Sequence, residues 1–206
     1  SGRIASLDDP ANAYLHSFKL PKNRGVDVSV RDLLTHQAGF AEASLPMIKG
    51  VRAPATAADV GQVFPGYLRP VKAGSVYSNY GLAVAGAIIA DLSNEPFADS
   101  LAKNVWAAAG MTRTGIGPSL DPGHWTQTAA IYPDGSRVAL PDDVGENPVI
   151  AHGAGGVVST GADMAAYMIA LLGDAPGAPD RLLDRAGRDL IATPLASTAL
   201  LAQAYG

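Results

Sequence analysis

Apolar residues fill the stretch from Tyr80 to Leu92 nearly all the way round, which predicts a helix buried on most of its sides. Pro96 suits a first helical position, and Phe97, Leu101 and Val105 then recur at helical spacing. That second helix should end before Gly110. Two capping boxes mark further starts, each a hydroxyl that can accept a free backbone N–H three residues on. Ser29 with Asp32 opens a helix carrying Leu33 and Leu34, predicted to stop near Gly39. Thr160 with Asp163 opens another, with Met164, Tyr167, Met168 and Leu171 on one face, ending at Gly173. A short helix is expected near Ala57 to Val63, inside an irregular stretch over 45–73. A last helix is expected from Leu182 to Thr193, after a loop over 174–180. Between Ala129 and Leu140 the pattern changes: β-type residues flank Tyr132-Pro-Asp-Gly-Ser136, a hairpin signal. The chain opens on SGRIASLDDPANAYL with no cap before Ile4 and stops at AQAYG without a closing signal. No internal repeat and no low-complexity segment interrupts it. The prediction is an α+β chain, predominantly helical.

Composition narrows the picture. The 206 residues suffice for one domain with a real core, and 48% hydrophobic with 17% charged residues is a globular balance. A net charge of -4 carries no footprint for nucleic acid. The apolar runs are far shorter than the roughly 20 residues a bilayer span needs, and no signal peptide is legible at the start. Without cysteine there is no disulfide framework and no thiolate site. The four histidines, His16, His36, His124 and His152, lack metal-ligand spacing. Neither a metal nor an organic cofactor is expected.

Three motifs suggest chemistry and are set aside. His152-Gly-Ala-Gly-Gly156 looks like a phosphate-binding loop, but Val158 stands where a third glycine belongs. Val157-Val-Ser159-Thr-Gly161 looks like a nucleophile elbow without its first glycine, so Ser159 reads better as part of the helix start at Thr160. Ser100-Leu-Ala-Lys103 has the spacing of a serine beside an activating lysine. On the helix carrying Phe97, Leu101 and Val105, however, the lysine lies about 160° from the centre of the apolar face. A lysine in water keeps its proton and activates nothing.

Tyr77-Ser78-Asn79 remains, at the mouth of the apolar helix. The simpler reading of these residues is a helix start, with Ser78 or Asn79 as cap and the Tyr77 hydroxyl in water. The functional reading makes the tyrosine a base. A phenol ionises near pH 10, so phenolate at pH 7 costs about 4 kcal/mol unless a cation lowers that value. A basic tyrosine therefore requires a buried lysine, and a serine for the pair to deprotonate.

Larger segments carry a resemblance. VSVRDLLTHQAGF from Val28 resembles the LLTHTSG segment of the serine β-lactamase and penicillin-binding protein superfamily, in its class C, D-alanyl-D-alanine peptidase and esterase branch. VKAGSVYSNYGLAVAGAIIADLSNEPFADSLAKNVWAAAGMTRTG resembles that branch's Tyr-x-Asn segment and the helices after it. HGAGGVVSTGADMAAYMIALL resembles its AGG…ST-x-x-D stretch, and SLDDPANAYL the segment just after its nucleophile helix. The likeness runs from about Leu7 to the C-terminus, in the expected order. It implies the helical domain of a β-lactamase/transpeptidase-like fold, a single domain segment over 1–206 with a short hairpin and an incomplete sheet. It also implies Tyr77 as general base and proton shuttle and Asn79 as a hydrogen-bonding partner of the substrate amide or catalytic lysine. His36, at the histidine of the LLTH segment, is read as structural, capping or bracing the helix end rather than handling protons.

The family's Ser-x-x-Lys should precede SLDDP, and its third motif, Lys- or His-x-Gly on a strand, should follow Tyr205-Gly206. The expectation is a serine hydrolase acting through an acyl-enzyme, with this chain inert alone. Substrates implied by the resemblance are small molecules or peptides: β-lactams, D-alanyl peptides or esters. A periplasmic or secreted location follows by analogy, with the cytoplasm left open. The apolar helix from Tyr80 to Leu92, lacking a packing neighbour, is expected to expose a patch and favour a homodimer. The alternatives are a non-catalytic binding module of the same architecture, and an unrelated helical protein whose Tyr-Ser-Asn is only a cap.

Overall fold

The computed structural model describes residues 2–41, 56–116, 129–131, 137–139, 153–173 and 182–194. A single 3-10 turn, Ala11–Ala13, precedes α1 (Val30–Leu34), α2 (Ala57–Gln62) and α3 (Asn79–Ser93). Then come α4 (Phe97–Leu101), a π-helical turn (Ala102–Trp106) and α5 (Ala107–Ala109), which run on as one helical segment. The strands are β1 (Gly115–Ile116), β2 (Ala129–Ile131), β3 (Arg137–Ala139) and β4 (Val157–Val158). Helices α6 (Gly161–Leu172) and α7 (Arg185–Ala192) close the order. β2 and β3 form the expected antiparallel hairpin, with Ala130 opposite Val138; its turn, 132–136, lies outside the described residues. β1 pairs antiparallel with β4, Gly115 opposite Val158, a pairing the sequence pattern did not reveal. Among the described residues the result is a helix-rich α+β structure with two separate two-stranded antiparallel sheets.

The central element is α3. Ser78 caps it, its Oγ accepting from Gly81 N–H at 3.2 Å. Tyr80, Ala83, Val84, Ala87 and Ile88 are all buried, so a nearly uniform apolar sequence finds neighbours on most sides. Burying such a side chain is worth about 1.5–3 kcal/mol for Val or Ile, so the several buried here together outweigh the roughly 1 kcal/mol that each of the two glycines forfeits. Leu15, Leu33, Phe40 and Val60 pack around it to make the larger of the two cores among the described residues. Phe40 sits at its aromatic centre, stacked on Tyr67 at 5.2 Å and edge-on to Tyr80 at 4.9 Å. Trp106, Met111, Ile116 and Ala170 form the second core, with Phe97, Leu101, Val105 and Tyr167 partly buried against it.

Four expectations are corrected. First, α1 carries its reciprocal capping box, but it ends at Leu34 rather than near Gly39. His36 takes a left-handed backbone (φ 57°) and turns the chain early. Gly39, at φ 79°, instead permits a close approach of two backbones, since a Cβ there would meet the Arg69 carbonyl oxygen at 2.1 Å. Second, Thr160 does cap α6 by accepting from Asp163 N–H, but the return bond is not made, because the Asp163 carboxylate is engaged elsewhere. Third, α6 turns Asp163 and Ala170 inward with Tyr167 half-buried, and leaves Met164, Met168, Ile169 and Leu172 exposed. Fourth, the exposed large apolar side chains among the described residues stand mostly off α3, on α6, on Leu190 and Ile191 of α7, and at Val26, Leu68 and Val157, whereas α3 leaves Ile89 open at 40% exposure. α2 and α7 stand near where they were expected, and Gly110 ends α5 in the left-handed conformation. The stretches 42–55 and 174–181 lie outside the described residues.

Candidate active site

Two distant pieces of chain meet at the start of α3. The turn Thr35–Gln37, left at the end of α1, is laced to the segment Lys72–Ser78 by backbone and side-chain bonds. Lys72 N–H donates to Gln37 O at 2.9 Å, Val76 N–H to His36 O at 2.8 Å, and the Ser75 hydroxyl to Thr35 O at 3.0 Å. The last bond is made by an imidazole: Ser78 N–H donates to His36 Nδ1 at 3.2 Å. Gly74, at φ 122°, makes the sharp entry into this segment.

The lacing decides where Tyr77 and Asn79 stand. With Ser78 serving as the cap, Asn79 is released from that duty, and its Oδ1 accepts from the Tyr77 hydroxyl at 3.0 Å. One face of the Tyr77 ring lies on the His36 ring, centroids 4.8 Å apart and tilted by 36°. Tyr77 nevertheless keeps 44% of its surface exposed. Its phenol is therefore held by a ring contact and a hydrogen bond, yet open to a group approaching from outside. The structure brings together both predicted site residues, Tyr77 and Asn79.

His36 does more than hold the end of α1, where its N–H donates to Leu33 O at 3.4 Å: its ring also braces the Tyr-Ser-Asn segment, 42 positions on. No signal along the sequence links the two.

The motifs set aside earlier have structural roles. Ser100 is buried and its Oγ takes a hydrogen bond from Asn104 Nδ2 at 3.3 Å, whereas the Lys103 ammonium is largely exposed and faces Glu95 at 4.0 Å. They do not form a serine–lysine pair. Ser159 bonds Thr114 Oγ1 at 2.7 Å, and Thr114 in turn donates to Asp163, so it ties β4 to the residue before β1. Gly153 packs against the backbone of α3 beside Leu82 and Gly86. His152 lies outside the described residues.

A phenol and a carboxamide in this arrangement can relay a proton and hold a polar substrate group. They supply no nucleophile. Lys19 and Lys22 are engaged elsewhere, Lys19 by the carbonyl of Asn12 and Lys22 by Asp27. Among the described residues no group of three metal-ligating side chains gathers, and no helix is long and apolar enough to cross a membrane.

Comparison with solved structures extends these observations. A penicillin-binding protein from Bacillus halodurans superposes with a TM-score of 0.71 at 23% identity, over 94% of this chain and 58% of that one. An octameric penicillin-binding protein homologue from Pyrococcus abyssi gives 0.69 at 20% identity, over 95% and 44%. D-amino acid amidase from Ochrobactrum anthropi SV3, complexed with D-phenylalanine, gives 0.66 at 27% identity, over 89% and 52%. The chain thus spans about half the length of these neighbours. A search of curated protein sequences found no match. The Beta-lactamase family model, however, matches residues 2–206. A match over that span, on a fold shared with penicillin-binding proteins and an amidase, establishes that this chain belongs to the β-lactamase family.

Proposed function

We propose that this chain is a segment of a serine hydrolase that works through an acyl-enzyme, in which Tyr77 relays the proton and Asn79 positions the substrate. The observation that carries the reading is the Tyr77–Asn79 hydrogen bond, held at the mouth of α3 with the phenol still accessible. The reaction is attack of a serine hydroxyl on an amide, ester or β-lactam carbonyl, with the oxyanion held by backbone N–H groups. The serine and its lysine come from polypeptide outside these 206 residues. The D-amino acid amidase among the neighbours supports an amide-type substrate, small or peptidic. A periplasmic or secreted setting and a homodimer that shields exposed apolar surface belong to the same reading.

Catalytic groups that work as a unit lose on the order of a million-fold in turnover when the nucleophile goes. The isolated chain is therefore inert. The test is incubation with a fluorescent penicillin, of this chain and of the longer protein that contains it. A covalent adduct on the longer protein alone is expected, and Tyr77→Phe there should slow its formation by on the order of 10²–10⁴. An adduct on the 206-residue chain would overturn the reading, as would a longer protein that Tyr77→Phe leaves unchanged.

A further inference from the structure

We infer that His36 is a positioning residue for Tyr77 and Asn79, and that it makes their placement sensitive to pH. The inference deepens the reading above and rests on it for its link to catalysis. Its structural part stands on geometry alone.

His36 Nδ1 accepts the backbone N–H of Ser78, the residue between Tyr77 and Asn79. An imidazole nitrogen accepts only when it carries no proton, so the bond requires neutral His36 with Nδ1 unprotonated. The same ring supports Tyr77 at 4.8 Å. Ser78 is also the cap of α3, so its backbone cannot shift without moving the cap and both flanking side chains. Protonating Nδ1 would set an N–H donor against the Ser78 N–H donor. The two would part, and Tyr77 and Asn79 would go with the displaced backbone. Histidine is the side chain that most readily gains a proton as pH falls below neutral, so acid is the condition that would break the bond.

Other titratable and charged groups surround the ring among the described residues. Asp32 of α1 lines the same crevice as His36, Leu33, Ser78 and Gly81, and Tyr77 and the exposed Lys72 belong to the facing segment. A variant can separate their titrations from that of His36. Asparagine presents an oxygen acceptor close to the Nδ1 position, does not titrate, and tolerates the left-handed backbone (φ 57°) that His36 adopts.

The experiment is an NMR pH titration of the 206-residue chain without substrate, following the His36 ring nitrogens, the Ser78 amide and the Tyr77 ring protons. Expected is an unprotonated Nδ1 at neutral pH, with all three signals moving on one midpoint as pH falls. In His36→Asn the Ser78 and Tyr77 signals should stay near their neutral-pH positions throughout. In His36→Leu they should be displaced at every pH. A protonated Nδ1 at neutral pH would overturn the inference. So would Ser78 and Tyr77 signals that ignore the His36 midpoint, or that keep titrating in His36→Asn. The wild-type titration decides the matter even if a variant fails to fold. In the longer protein, penicillin acylation should fall about tenfold more in the wild type than in His36→Asn between neutral and mildly acid pH. Failure of acylation at every pH would count against the hydrolase reading, whereas the titration of the unliganded chain judges His36 independently.

Discussion

Gly153 lies with its α-carbon against the backbone of α3, where a methyl group would come within 2.2 Å of the Leu82 carbonyl oxygen and 3.1 Å of the Gly86 Cα. The obstacle is backbone on a packed helix, which cannot swing aside as a flexible side chain would. Gly153→Ala should therefore force the 153–156 turn away from α3. Overpacking of this kind costs about 1–3 kcal/mol, and more where the wall is rigid. Denaturant unfolding should show a lower midpoint with an unchanged slope. An unaltered midpoint would mean that the turn does not rest on α3.

Asp163 is buried yet accepts two hydrogen bonds at 2.7 Å, from Arg113 N–H and from the Thr114 hydroxyl. It joins α6 to the chain entering β1, while Ser159 joins the same network from the end of β4. Asp163→Ala would leave those partly buried donors without their carboxylate. Hydrogen bonds to a charged group are worth about 1.5–3 kcal/mol, so a loss of about 3 kcal/mol is expected in thermal or chemical unfolding. Ser159→Ala should cost less, since Thr114 keeps Asp163.

Acid stability should depend on Asp91. Burial alone would raise its pKa, but the hydroxyl and amide of Ser17 and the amide of His16 all donate to it and outweigh burial, so its folded pKa lies below the usual carboxylate value. A depressed folded pKa contributes stability above the unfolded value that is lost as pH falls through the folded one. Asp91→Asn should flatten that part of the stability curve between about pH 4 and lower values, measured by urea unfolding at several pH values. A curve identical to the parent's would remove Asp91 from the acid response.

The alkaline side has the opposite sign. Burial, with the nearby Asp27 charge, raises the Tyr67 phenol to about 12, and burial raises Tyr80 further still. A raised folded pKa contributes stability below the unfolded value, about 10, that is lost as pH climbs through the folded one. Absorbance titration should show these two tyrosines ionising late, together with loss of the fold. In Tyr67→Phe the late amplitude should shrink. Ionisation of all tyrosines in one step near pH 10, with the fold intact, would contradict the packing of the Phe40 cluster.

Much of the local structure was determined by the sequence itself, because its causes span only a few residues. Ser29 and Asp32 meet in one turn of α1, and Thr56 and Asp59 do the same for α2. The nearly unbroken apolarity of Tyr80 to Leu92, with Asp91 the one charge, required burial on most sides. Tyr77 and Asn79, two apart at a helix mouth, were recognisable as a pair through the resemblance of several segments taken together. The fold alone decided what depends on distant partners. Periodicity could not say whether Asp163 would return its bond to Thr160 or spend it on Thr114, nor which apolar stripe of α6 would be left open. The bond from Ser78 to His36 and the seat of Gly153 on α3 join residues dozens of positions apart. Such contacts arise from the approach of whole elements, and no spacing along the chain encodes them.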